Sequence, residues 1–149
     1  MNTERPSAAV TVTEQALEGA ILAQLLAETA DPNCGALVVF GGTVRLDERV
    51  VAIDYSAYAP LAVKTLLSLE QETMQAFPDV RRLRIVHRTG LLAVGELSVL
   101  MVLRSGHRKQ GFAAAAWAMD QLKARVPVWK QEHYQDGSKE FLPGQSLLP

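Results

Sequence analysis

The strongest constraint on this chain is the shortness of the connections between its apolar runs of strand length. "ALVVFGGTVR" (36–45) and "VVAIDYSAY" (50–58) are separated only by "LDER", and "RRLRIVHR" (81–88) and "ELSVLMVLR" (96–104) only by "TGLLAVG". A parallel crossover needs about a dozen residues or more, so neighbouring runs of this kind pair antiparallel. The first two read as a hairpin, and Gly90 and Gly95 suit turns or bulges between the second two. Three helical stretches interrupt the strands. Thr13 is placed to cap "EQALEGAILAQLLAE" (14–28), after a polar tail at 1–9 and a short β-prone run at 10–12. Pro60 suits the first turn of a helix that stops before Pro78 and buries Leu66, Leu69, Thr73 and Phe77 on one stripe. A third helix starts near His107. Asp136-Gly137, between two β-prone arms at 128–141, marks a C-terminal hairpin. Helices and strands alternate without a regular βαβ period. The fold expected is α+β, with mostly antiparallel sheet and three main helices.

A length of 149 residues suits one domain spanning 1–149. The formal net charge of −1 and the charged fraction of 21% speak against a polybasic nucleic-acid binder or an acidic tail. With 48% hydrophobic residues, the chain can bury a core. Its single cysteine, Cys34, excludes an internal disulfide and a multi-cysteine zinc site, and suits packing in a reducing compartment. No stretch approaches the roughly 20 apolar residues that span a bilayer. The expected location is the cytoplasm, away from membranes.

Chemistry concentrates around the third helix. On a wheel of about 100° per residue, Phe112, Ala115, Ala116, Met119, Leu122 and Val126 share one arc, and Lys123 falls inside it. Such a lysine either snorkels its ammonium into water or lines a pocket, where desolvation and neighbouring cations lower its pKa. Pro127 should end the helix and start an extended arm, so Lys130 is spaced to return toward Lys123. Trp129 either walls that place or belongs to the core. At the helix start, "RSGHRKQ" supplies Arg104, His107, Arg108 and Lys109 where free backbone N–H groups favour an anion. A solvated basic face is the plainer alternative there and at Arg45. Gly41 and Gly42 mark a bulge, a close approach or a simple twist. His87 and His133 lack the spacing of a metal site, and no nucleophile elbow, P-loop or dinucleotide fingerprint is present. Neither a metal nor a cofactor is expected.

Taken together, "FGGTVR", "HRTG", "SGHRKQGFAAAAWAMDQLKARVPVWKQE" and "DG" resemble the large, catalytic subunit of molybdopterin synthase over roughly residues 35–140. The most specific element is the His-Arg pair leading into a helix that ends Lys-x-x-x-Pro-x-Trp-Lys-x-Glu. The resemblance implies an α/β hammerhead-like fold and a sulfurtransferase acting on cyclic pyranopterin monophosphate. It also implies a ubiquitin-like small subunit, whose C-terminal Gly-Gly thiocarboxylate donates sulfur to form the molybdopterin dithiolene. Two large subunits form a homodimer within a heterotetramer. By the same resemblance Lys123 and Lys130 are the active-site lysines. Arg45, His107 and Arg108 would hold the substrate phosphate, Thr43 and Val44 contribute local backbone, and Gln131 and Glu132 adjoin the site. The family site lies near the dimer interface, so the second protomer can supply some ligands.

Two departures stand out. Many relatives carry Tyr-Glu-x-Tyr where this chain has Tyr55-Ser56-Ala57-Tyr58, and "LDER" is shorter than the usual family loop. Both bear on partner fit more than on the lysines. The rival readings are a non-catalytic module that binds the ubiquitin-like carrier, and a phosphate or nucleic-acid binder based on the basic cluster. The latter lacks the expected basic excess and interleaved aromatics.

Overall fold

A computed structural model describes residues 11–47 and 49–142. The polar tail at 1–9, Val10 of the β-prone run and Glu48 of the "LDER" loop lie outside the described residues. The strands are β1 (Val12–Thr13), β2 (Ala36–Thr43), β3 (Val50–Ala57), β4 (Val80–Arg88), β5 (Gly90–Ala93), β6 (Leu97–Ser105), β7 (Val128–Tyr134) and β8 (Lys139–Phe141). The α-helices are α1 (Leu22–Glu28), α2 (Ala59–Ala76) and α3 (Arg108–Arg125). They form two four-stranded sheets, ordered β1-β4-β6-β2 and β5-β3-β7-β8. Every pairing is antiparallel except β1 with β4. The α+β, antiparallel-dominated expectation therefore holds.

β6 explains the layering. Its run of near-continuous apolar residues is buried on both faces, as a strand between two helical layers requires. Val99, Met101 and Leu103 join Leu66, Leu69, Ile85, Ala114, Ala118 and Leu122 beneath α2 and α3. Leu100 and Val102 face the other way, against Leu17, Ile21 and Leu25. The second sheet has a smaller core of Val44, Tyr55 and Leu92, flanked by Ile53, Val94 and Val128. The Asp136-Gly137 signal is borne out, with β7 and β8 paired across a turn in which Gly137 has φ +88°.

Four local expectations change. β2 and β3 are not a hairpin: β2 pairs with β6 in the first sheet, and β3 pairs with β5 and β7 in the second. After a register shift at Gly42/Thr43, Val44 exchanges backbone hydrogen bonds with Glu96 and Gly95, which carries the chain away from its own sheet. The connection "TGLLAVG" contains a strand, β5, whose first residue, Gly90, has positive φ, as does Gly95 in the turn after it. The first helix does not start at Thr13, which lies in β1. A π-turn at Leu17–Ile21 precedes α1, and Gly19, at φ −105° and ψ −106°, breaks helical geometry.

The buried face of α3 is also rotated from the expected arc. Gly111, Ala114, Ala115, Ala118 and Leu122 are buried, whereas Phe112, Ala116 and Lys123 are exposed. A Cβ on Gly111 would stand 2.7 Å from Ser105 Oγ and 3.2 Å from Val38 Cγ2. Small side chains thus let α3 lie close on the sheet, and that approach selects the face. Lys123 does not interrupt the buried stripe; it borders it.

Candidate functional site

Pro127 ends α3 as expected: Val126 is the C-cap and β7 begins at Val128. β7 then runs beside β3, with Lys130 opposite Tyr55 and Glu132 opposite Ile53. Directly opposed residues share a face, and successive residues alternate. Lys130, Glu132, Tyr55 and Ile53 therefore occupy the inner face, while Trp129, Gln131, Asp54 and Ser56 occupy the outer one. Trp129 does not wall the lysine site, and Gln131 points away from it.

The Lys130 ammonium lies over the Tyr55 ring, 5.8 Å from its centroid. Lys130 is exposed to solvent as a whole, yet its surroundings lower its pKa, by partial desolvation first and by the positive charge of Lys123 second, with Glu132 opposing both. The two lysines thus converge electrostatically across Pro127. Beneath them Tyr55 is buried, and burial raises its hydroxyl pKa. The His87 ring packs edge-on against Tyr55 at 5.6 Å. Burial pushes the His87 pKa down to about 4, against a raising hydrogen bond to the Arg88 carbonyl, and Lys130 lowers it further. Its Nδ1 lies 2.8 Å from that carbonyl and donates to it, since the neutral ring has one N–H.

Val44 is buried against Tyr55, which places the exposed residues Thr43 and Arg45 at this same end of the molecule. Gly41 and Gly42 have a packing reason. A Cβ on either would meet Leu97 Cδ2 at 2.6 Å or Val99 Cγ1 at 2.7 Å.

The other end of α3 holds the second cation group. His107 is the N-cap, and His107, Arg108 and Lys109 line a 670 Å³ cleft with Gly35, Ala36, Gly106 and Phe112. Asp79 accepts from the His107 backbone N–H at 2.7 Å and lies 3.4 Å from its Nδ1. Ser105 Oγ donates to the His107 carbonyl at 2.6 Å. Arg104 is not part of this group; it donates to the Leu26 carbonyl at 3.0 Å and so caps the end of α1. Arg108 and Lys123 are separated by about 22 Å of helix rise. Within one chain the structure brings Lys123, Lys130, Glu132, Val44 and Arg45 toward one end, and His107 and Arg108 to the other.

Sequence reasoning missed Tyr55, His87 and Asp79. Strand alternation gives the first its face, but only the pairing of β3 with β7 shows what it faces. Among the described residues no group of three or more His, Cys, Asp or Glu side chains is arranged to hold a metal ion, and no helix is long and apolar enough to cross a membrane.

Fold and site together define a mixed α+β protein with a lysine pair at one end of a long helix and an anion-favouring cluster at the other. The chain belongs to the MoaE protein family, whose model matches residues 12–125. It is 40% identical over 124 residues to the molybdopterin synthase catalytic subunit of a Nostoc species, covering 81% of this chain and 75% of the relative. The Dictyostelium discoideum protein of the same name is 39% identical over 119 residues, covering 77% and 75%. Among solved structures, molybdopterin synthase from Staphylococcus aureus matches with a TM-score of 0.82 at 29% identity, covering 90% of this chain and 96% of the other. Family membership makes this chain an enzyme subunit of molybdenum cofactor biosynthesis.

Proposed function

We propose that the chain is a sulfurtransferase subunit that converts cyclic pyranopterin monophosphate to the molybdopterin dithiolene, using sulfur from the C-terminal thiocarboxylate of a ubiquitin-like small subunit. The observation that carries this reading is the placement of Lys123 in the last turn of α3 and of Lys130 near the start of β7, on either side of Pro127, where the charge of Lys123 lowers the Lys130 pKa. Each transfer forms a carbon–sulfur bond at a pterin side-chain carbon as a carbon–oxygen bond there breaks and its oxygen leaves; water then attacks the acyl carbon, breaking the acyl carbon–sulfur bond and releasing the tail as a carboxylate. The acyl carbon passes through a tetrahedral oxyanion. Lys123, at the C-terminal end of α3 where the helix dipole favours a cation, stabilises that charge. Lys130, whose proton is held less tightly than an ordinary lysine's, exchanges protons with the leaving and attacking groups.

His107, Arg108 and Arg45 hold the substrate phosphate, with Thr43, Val44 and Glu132 around the lysines and Gln131 on the outer face of the same strand. The division of these residues between two ends of α3 supports a shared site. β2 and α3 both start at the Gly35–Gly106 contact and run toward the lysine end. β2 is an edge strand exposing Leu37, Val39 and Phe40, and α3 beside it exposes Phe112. A two-fold axis across this edge reverses both elements, so the His107–Arg108 end of one protomer meets the lysine end of its partner. The proposed assembly is a homodimer with one small subunit at each end, a heterotetramer in the cytoplasm.

The test mixes this chain with a thiocarboxylated ubiquitin-like partner and cyclic pyranopterin monophosphate, with mass spectrometry as the readout. Dithiolene product that depends on the chain is the expected result. Docking of the carrier without product would leave the non-catalytic carrier-binding module, with Ser56 and the short 46–49 loop as the first positions to restore.

A further inference from the structure

We propose that Tyr55 and His87 are positioning residues for Lys130, a stacked aromatic platform that holds the ammonium on the inner face of the second sheet. The inference rests on the proposed catalytic use of Lys130. Two contacts define the platform. Lys130 Nζ lies 5.8 Å from the Tyr55 ring centroid, within reach of the ring's negative face. The Tyr55 ring meets His87 at 5.6 Å with planes 61° apart, the edge-to-face geometry that aromatic pairs favour. Ser98 lies beside the Tyr55 hydroxyl and opposes the effect of burial on its pKa, and Ser98 Oγ donates to the Gly42 carbonyl at 3.2 Å.

This arrangement answers a physical need. A lysine has a long, mobile side chain, and at a partly exposed strand position nothing intrinsic fixes its ammonium. A buried ring directly across the ladder removes part of that freedom and part of the water. His87 suits the support position because it stays uncharged: a second cation below Tyr55 would repel both lysines. The charged and titratable groups facing Lys130 are Lys123 from α3, Glu132 from β7, Tyr55 from β3 and His87 from β4. The "HRTG" stretch thereby gains a role for its histidine.

The experiment compares wild type with Tyr55→Phe, which keeps the ring, and Tyr55→Leu, which removes it. Lys130 acetylation by an N-hydroxysuccinimide ester is followed across pH by peptide mass spectrometry on the protein alone, because only the neutral amine reacts. Loss of the ring removes both its attraction for the ammonium and the enclosure that keeps water from Lys130, and the enclosure is the larger influence on its pKa. For Tyr55→Leu the labelling midpoint should move up, slowing reaction at pH 8 by about three-fold relative to the high-pH plateau. In the reconstituted assay kcat should fall about ten-fold or more with KM changed less than about two-fold. Tyr55→Phe should restore both to within about two-fold of wild type. If Tyr55→Leu does not fold, Tyr55→Met refills the space with a flexible apolar chain and takes its place.

A wild-type labelling curve and kcat in the ring-deleted variant would overturn the platform. Equal impairment in Tyr55→Phe would also overturn it, since the hydroxyl and not the ring would then be what matters. A shifted labelling curve with no turnover even in wild type would uphold the platform and sink the sulfur-transfer reading instead.

Discussion

If the site is shared across a two-fold axis, two inactive chains should repair each other. Arg108→Ala disables the end of α3 that binds phosphate, and Lys123→Ala disables the end that carries the lysines. The two positions are about 22 Å apart along one helix, and Lys123 is held toward Lys130, away from the cleft. In a mixed dimer with a shared site, the Arg108→Ala chain keeps its lysines and receives Arg108 from its partner, giving one intact site. The other site lacks both groups. Doubly tagged dimers purified from co-expression should therefore turn over at about half the wild-type rate per dimer, while each variant alone stays at background. A random mixture, in which about half the dimers are mixed, should reach about a quarter. The assay is dithiolene formation with saturating carrier and substrate. If each site used its own chain's Arg108, every site in the mixed dimer would lack one group. Background activity in a doubly tagged dimer that docks the carrier normally would refute the two-fold argument.

Three further outcomes follow from the same structure. Lys123 is exposed and borders the core, so Lys123→Ala should leave melting temperature and carrier docking unchanged while lowering product formation by about 100-fold or more; wild-type turnover would remove it from the mechanism. Burial raises the Glu70 pKa to about 7, despite a 2.8 Å hydrogen bond from the Ile85 N–H and the nearby Arg84 guanidinium. A carboxyl that holds its proton more tightly when folded contributes stability below its unfolded pKa and loses it as pH rises toward 7. Glu70→Gln should flatten that decline, by at most about 3 kcal/mol, and urea melts at pH 5 and pH 8 with the same slope in both proteins would contradict it. Gly42→Ala should cost about 1–3 kcal/mol, because its methyl would stand 2.7 Å from Val99 Cγ1; an unchanged urea midpoint would show that β6 yields freely there.

What the sequence made legible was whatever local chemistry decides. Pro60, Pro78 and Pro127 punctuate α2 and α3 close to where the structure does, because a missing N–H and a fixed φ act regardless of tertiary context. Asp136-Gly137 likewise places its own turn. The lysine spacing was readable for the same reason, since Pro127 fixes where the helix becomes a strand. The failures were decisions made elsewhere in the molecule. A four-residue link between β2 and β3 suggested a hairpin, yet Glu96 and Gly95 capture Val44 and draw the chain to the second sheet. Four consecutive alanines in α3 carry no directional signal, so the wheel chose an arc that close contact at Gly111 overrules. Gly19 sat inside a strong helical composition, and the break it permits was invisible to propensity summed over the segment. The anion cluster was visible as residue types, but its distance from the lysines needed the straight length of α3.

That separation bears on why two ammonium groups are placed at one helix end. Among the described residues Glu132 is the carboxylate that opposes the lowering of the Lys130 pKa, and it also accepts a hydrogen bond from the Tyr134 hydroxyl at 3.1 Å. One shared anion does not fully relieve two cations, so the strain falls on Lys130, which is the more enclosed by Tyr55 and is pushed by Lys123. Lys123 sits where the carbonyl end of α3 favours positive charge. In the proposed mechanism the arrangement differentiates two chemically identical side chains by position: Lys123 faces a developing oxyanion from the helix end, and Lys130 is made readier to give up its proton. Neither job is available to a lone exposed lysine, and neither needs the phosphate-binding cations close by. Placing those at the far end of α3 spares Lys130 further repulsion within one chain; in the proposed dimer a substrate anion and a second protomer bring them in together.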